Sequence, residues 1–229
     1  MKISQNIKVA VDAVVFGYQQ KELSVLLIKR GIEPFKGAWA LPGGLVLENE
    51  SLEHAVEREL LEETGVTIDY LEQLYTFGTP KRDPRNRVIS VTYFGLVSPN
   101  HFKISADTDA AEVQWFPIHE LPKLAFDHNR ILTTALQRLQ NKINYQPIGF
   151  ELLKKEFPFS DLENLYQTIL NQKIDRRNFR KKIMSFGILT ETDKIHQPSS
   201  GRPAKLFKFN AKKYKDLEKK GFHFEIKFA

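Results

Sequence analysis

The stretch SLEHAVERELLEETGV places Glu57, Glu59, Glu62 and Glu63 within seven residues. On a helix, Glu59, Glu62 and Glu63 stand at i, i+3 and i+4, so their carboxylates converge on one patch. At about 100° per residue, Leu52, Ala55, Val56 and Leu60 share an apolar face, and Glu59 and Glu63 fall inside the same arc. A solvated acidic surface is the plain alternative, but carboxylates on an inward face are costly unless a cation meets them. Hard divalent ions take oxygen ligands and bridge carboxylates to substrate phosphates. The preceding Gly43-Gly44 turn lets backbone carbonyls approach such an ion, so Gly43 joins Glu59, Glu62 and Glu63 as a candidate ligand.

Two further groups carry possible chemistry. The segment KRDPRNR offers Arg82, Arg85 and Arg87 to phosphate or ribose, or serves only as a solubilising loop. Trp39 and Phe35 can stack on a base or pack beside the acidic helix. Far downstream, DRRNFRKKIMSFG keeps Phe179, Ile183 and Met184 on one stripe and turns Arg176, Arg177, Arg180 and Lys181 outward.

The elements that must position these residues are legible from periodicity and punctuation. The acidic helix is expected over about Leu52–Thr64, with Ser51 or Asn49 as N-cap and Gly65 as its left-handed end. IKVAVDAVVFGY and ELSVLLIKR read as a strand pair turning near Gln19–Glu22, followed by the loop GIEPFKGAWALPGG. VTIDYLEQLYTFGT, NRVISVTYFGLVS and AEVQWFPIHELPKL supply three more strands. HNRILTTALQRLQNKI has helical periodicity, with Ile131, Leu132, Ala135, Leu136 and Leu139 as its stripe. The pattern breaks near Asn144–Pro147, which divides the chain into residues 1–143 and 144–229. Beyond the break, IGFELLKKEF is a short helix candidate. Ser160 with Glu163 makes a capping-box signature for a second helix, and Asp175 caps a third that ends near Gly187. Strands around ILTET and AKLFKFN flank a turn-rich loop. Three helices and a basic hairpin form the order of a winged helix-turn-helix, in which the third helix enters the major groove. Arg202 and Lys205 at the hairpin suit phosphate or minor-groove contact, and Asn178 can in principle read adenine.

The chain has 229 residues, 41% apolar and 27% charged, enough for a core. It holds no cysteine, which excludes disulfides, thiolate metal sites and cysteine nucleophiles. No window approaches the roughly 18 apolar residues that span a bilayer, and the N-terminus lacks signal-peptide features, so a cytoplasmic protein without membrane partners is expected. Lys and Arg number 16 against 18 Asp and Glu over residues 1–142, but 18 against 10 over residues 143–229. A basic C-terminal part favours nucleic acid over protein docking as its partner.

From Gly44 through Glu50 to Arg58-Glu59-Leu60-x-Glu62-Glu63-x-Gly65-Val66, nine specified positions in 23 residues match the complete Nudix box. The flanking WALPGG and EVQWFPIHELP are also similar to that family, and the resemblance covers about residues 7–142. It implies an α/β/α sandwich with a mixed sheet that hydrolyses nucleoside diphosphates linked to another group with Mg²⁺ or Mn²⁺. Glu59, Glu62 and Glu63 would hold the ions, any one of them able to double as base. Arg58 would orient a box carboxylate through its planar fork, and Glu50 would support the loop–helix geometry. Members often take a base from a loop outside the box; Asp107, Asp109 and Glu112 are the candidates. Pro80, fourteen residues past Val66, nearly matches a proline common in members that act on ADP-ribose. PIGFELL, DRRNFRKK and GRPAKLFKFN resemble the Nudix-related transcriptional regulators, which control NAD or sugar metabolism genes. That likeness implies an overall α+β, two-domain regulator that pairs as a homodimer on a double-stranded DNA operator and responds to a nucleotide-type small molecule. Many such regulators have lost box carboxylates and bind without cleaving; this chain keeps them all. A non-hydrolytic sensor of ADP-ribose or a sugar, and a plain hydrolase whose winged helix docks protein, are the alternatives.

Overall fold

The computed structural model describes residues 6–68, 70–99, 110–197 and 202–226. Packing divides the chain into two compact units, Met1–Gln19 with Leu23–Arg138, and Gln20–Glu22 with Leu139–Ala229.

In the first unit, β1 (Ile7–Gln19) and β2 (Glu22–Arg30) form the expected pair. The chain reverses through Gln20 and Lys21, both at positive φ (53° and 66°), which matches the twist of the flanking strands. Next come β3 (Trp39–Ala40), β4 (Gly43–Leu45), α1 (Leu52–Thr64), β5 (Tyr70–Phe77), β6 (Arg87–Val97), β7 (Ala110–Pro117) and α2 (His128–Lys142). The sheet runs β3-β2-β1-β6-β5, with β4 on β1 and β7 on β2. β1 and β6 are parallel and the other described ladders antiparallel, so the sheet is mixed. The buried faces of Val11, Ala13, Val15, Val91 and Tyr93 meet Ala55, Val56 and Leu60 of α1. Burying Val56 and Leu60 contributes roughly 1.5–3 kcal/mol each, enough to seat α1 on the sheet despite its acidic content.

The second unit opens with a 3₁₀ turn, Ile148–Leu152, shorter than the helix expected there. It continues with β8 (Phe157–Pro158), α3 (Phe159–Leu170), α4 (Arg176–Phe186), β9 (Leu189–His196), β10 (Ala204–Phe209) and α5 (Ala211–Glu218). Three strands in the order β8-β10-β9 form the wing sheet, one more than the sequence suggests. The expected capping box of Ser160 and Glu163 does not form. Pro158 pairs with Leu206 in the sheet and α3 starts directly at Phe159, which puts Ser160 inside the helix. Burial of Phe159, with its ring 6.0 Å from those of Phe179 and Phe207, outweighs the cap. Asp175 does cap α4, accepting from Asn178 N at 2.8 Å, and Gly187 ends it at φ 64°. No helix of the described residues is long and apolar enough to cross a membrane.

Candidate functional site

Helix α1 begins where its sequence signals say. Ser51 Oγ accepts from His54 N at 3.2 Å, and Gly65, at φ 70°, donates its amide to Leu61 O. Between those ends Glu63 is buried and Glu59 half-buried, both facing the β4 loop. That loop approaches closely because it carries glycine. Gly43 lies opposite Asp12 in the β1–β4 ladder at φ 149°, and a Cβ there would sit 2.2 Å from Val11 O. A Cβ on Gly44 would sit 2.3 Å from Glu59 Oε1. Gly43 N donates to Glu63 Oε2 at 2.8 Å, which ties helix to loop.

Arg58 is the hub of the remaining carboxylates. Its Nε and Nη2 grip Glu50 Oε2 and Oε1 at 3.0 and 2.8 Å, a bidentate fork. Its Nη1 donates to Glu59 Oε1 at 2.9 Å and to Glu62 Oε2 at 3.2 Å. The Arg58 fork, helped by the Leu47 amide, lowers the Glu50 pKa to about 2. Burial, reinforced by repulsion from Glu62 and Glu50, outweighs the Arg58 contact and raises the Glu59 pKa. One guanidinium thus faces three carboxylates, with Glu63 held beside them by Gly43 N, an excess of hard oxygen donors that fits a divalent cation. Among the described residues no three His, Asp or Glu side chains form a ready-made cage; Glu50, Glu59 and Glu62 are gathered on Arg58 instead.

The cleft beside this loop is walled by Asp12, Arg30, Gly43, Arg85, Phe126 and His128, with Arg82 in its floor. The three arginines of KRDPRNR part company here. Arg82 is nearly buried, its guanidinium reaching Asp127 at 2.7 Å and Asp12 at 3.2 Å. Arg85 is half exposed and pairs with Asp83 at 2.8 Å. Arg87 donates to Gly78 O at 2.8 Å and does not line the cleft. Trp39 does not line it either; it packs edge-on against Phe116 with ring centres 4.6 Å apart. Phe35, exposed and at φ 64°, lies edge-on to Phe126 with ring centres 4.8 Å apart. Of the outside-box base candidates, Asp107 and Asp109 lie outside the described residues, and Glu112 pairs with Lys29 at 3.2 Å.

Asp12, Asp127 and His128 escape a reading by sequence. Asp12 did leave a signal, a carboxylate interrupting the apolar run of β1. It is buried, bonded to Ser90 Oγ and Arg82. His128 accepts from Leu41 N at Nδ1, 2.9 Å, with Nε2 3.5 Å from Asp12 Oδ1. Burial lowers its pKa below the usual histidine value, in spite of the nearby Asp12.

In the second unit Arg176, Arg177, Asn178, Arg180 and Lys181 are exposed on α4. Arg180 lies over Phe159 at 4.4 Å and Phe207 at 5.6 Å, so aromatic faces fix its direction. Arg202 is exposed, while Lys205 pairs with Glu191 across the wing; residues 198–201 between the strands lie outside those described.

Comparison with known proteins follows this division. The family profile described as NUDIX domain matches residues 6–136, and that of the NrtR DNA-binding winged helix domain matches residues 149–209. The chain is 35% identical over 208 residues to the ADPR responsive transcriptional repressor NtrR of Acinetobacter baylyi, covering 89% of this chain and 82% of the relative. It is 44% identical over 124 residues to an ADP-ribose pyrophosphatase of Methanocaldococcus jannaschii, covering 54% and 70%. The structure is similar to Shewanella oneidensis NrtR complexed with a 27mer DNA, with TM-score 0.81 and 32% identity over 96% of this chain and 99% of that one.

Proposed function

This chain belongs to the Nudix family and carries an NrtR-type winged helix domain, and on that premise we propose an ADP-ribose-responsive transcriptional repressor that also hydrolyses its effector. Residues 1–143 bind and cleave the nucleotide; residues 144–229 hold double-stranded operator DNA. The observation that carries the hydrolytic half is the complete carboxylate set, one guanidinium among four glutamates, packed on a glycine loop at the edge of a cleft.

Nudix hydrolases work with divalent cations. In this chain Glu59, Glu62, Glu63 and the Gly43 carbonyl would hold Mg²⁺ or Mn²⁺. Such ions, when bound, neutralise a pyrophosphate, activate a water and stabilise the leaving phosphate. Arg58 turns Glu59 and Glu62 toward a common side while its fork fixes Glu50 against the loop. Gly43 and Gly44 let the backbone come within reach of Glu63 and Glu59. Arg30 and Arg85 bring positive charge to the cleft wall, and Phe126 with Phe35 offers apolar rings at its mouth for a base. Arg82 shapes the floor rather than meeting phosphate, since Asp12 and Asp127 engage its guanidinium.

On DNA, Arg176, Arg177, Asn178, Arg180 and Lys181 of α4 face the major groove, and Arg202 and Lys205 follow the backbone. Two-fold operators mirror two-fold proteins, and on that analogy the chain acts as a cytoplasmic homodimer on genes of NAD or sugar metabolism.

The test is turnover of ADP-ribose with Mg²⁺, followed as AMP release, with DNA binding measured before and after substrate is added. Cleavage together with loss of DNA binding is expected. Tight binding without turnover would reduce the first domain to a sensor, and neither binding nor turnover would overturn the reading.

A further inference from the structure

The loop that meets the box glutamates is fastened at three successive residues. Leu41 N donates to His128 Nδ1 at 2.9 Å, Pro42 O accepts from Ala13 N at 2.8 Å, and Gly43 N donates to Glu63 Oε2 at 2.8 Å. Two of the three anchors are a strand amide and a box carboxylate. The remaining one is a side chain from α2, 87 residues away in sequence.

His128 is itself held. Its side chain is 5% exposed, with Nε2 toward Asp12 Oδ1. Arg82 bridges Asp12 and Asp127, the residue just before α2, and Ser90 Oγ donates to Asp12. The amide of Leu41 needs the Nδ1 lone pair, so the ring is neutral with its proton on Nε2. A buried, neutral imidazole that supplies one acceptor at a fixed point has no acid–base part in hydrolysis.

We propose that His128 is a positioning residue for the metal-carrying glutamates. By fixing Leu41 it sets where Gly43 N and the Gly44 Cα arrive, and these are the atoms that contact Glu63 and limit Glu59. This rests on the reading that Glu59, Glu62 and Glu63 hold a divalent ion. The competing role is a packed histidine whose loss costs stability alone.

The two roles separate in a series of replacements. His128→Asn keeps an oxygen near the Nδ1 position, able to accept from Leu41 N. His128→Gln puts its amide near the Nε2 position and leaves the Leu41 amide unmatched. His128→Leu removes both polar atoms. Mn²⁺ binding to the full chain, followed by the EPR signal of the free ion, reads the glutamates without requiring turnover. ADP-ribose cleavage gives kcat and KM beside it, at a temperature where near-UV circular dichroism shows each variant folded. Loss of an outer-shell anchor of this kind typically weakens metal affinity by about 10–100-fold. That loss is expected in the Gln and Leu variants, carried in kcat more than in KM, with Asn returned to within a few-fold of wild type. Gln against Asn suffices if Leu does not fold. Wild-type Mn²⁺ affinity in folded Gln, or equal losses in Asn and Gln, would overturn the proposal. If the wild-type chain neither binds Mn²⁺ nor cleaves ADP-ribose, the metal reading itself fails, a result distinct from both.

Discussion

Replacing Gly44 by alanine tests the site with a single methyl group. The new Cβ would stand 2.3 Å from Glu59 Oε1 and 2.8 Å from Oε2, whereas ordinary contact begins near 3.4 Å. The obstacle is the tip of a flexible side chain rather than backbone, so the fold can absorb it when the Glu59 carboxylate swings away by about 1 Å. Gly44 does not have a left-handed φ, and alanine there lowers the entropy of the unfolded chain, a gain of about 0.4–1 kcal/mol. Against this stands the Arg58–Glu59 charge-assisted bond, about 1.5–3 kcal/mol if lost outright. The net cost is about 1–2 kcal/mol, a few degrees in Tm for a chain of this length. Catalysis is less tolerant, because a 1 Å misplacement of a positioned group can cost about 100-fold. Gly44→Ala should therefore stay folded, bind DNA normally, and release AMP from ADP-ribose about 100-fold more slowly. Glu59→Gln should match that deficit. Turnover within threefold of wild type in Gly44→Ala would mean that Glu59 is not needed where the structure puts it.

Other perturbations follow from the same geometry. Glu62→Gln combined with Glu63→Gln should abolish metal-dependent hydrolysis with the fold retained by circular dichroism; undiminished turnover would refute the metal assignment. Arg177→Ala should weaken DNA binding by about 1–3 kcal/mol in a titration and leave hydrolysis unchanged. Arg180→Ala should in addition lower Tm, because that guanidinium also covers Phe159 and Phe207. Glu50, lowered from 4.5 to about 2 by Arg58, contributes stability fully present above pH 4.5 and lost as pH falls toward 2. Urea midpoints compared between pH 6 and pH 3 should fall less in Glu50→Gln than in wild type, and an equal fall would refute the coupling.

Much of α1 was legible because its information is local. Ser51, Gly65 and the apolar stripe fix its ends and face, and Glu59 and Glu63 in that arc announce a task other than packing. The floor of the cleft was not legible in the same way. Arg82 meets Asp127 across 45 residues and Asp12 across 70, and no local pattern distinguishes a buried arginine from a solvated one in KRDPRNR. The Ser160 signature failed for the reverse reason: a local preference lost to the pairing of Pro158 with Leu206 and the burial of Phe159. Helix α5 also went unread, its cap supplied by Asn210 accepting from Lys213 N at 2.9 Å.

The hydrogen bond from Leu41 into His128 has a spectroscopic consequence. Of the chain's six histidines, His128 is the only buried one among the described residues. A neutral ring locked in its Nε2–H tautomer has a nitrogen-15 signature apart from those of solvent-averaged imidazoles. Its Nε2 lies on a buried ring, 3.5 Å from Asp12 Oδ1, so its nitrogen shift reports on that neighbourhood. The wall of the cleft thus contains its own isotopic reporter, and any binding that disturbs Asp12 or Arg82 can be followed at one resonance without a tag or a substitution.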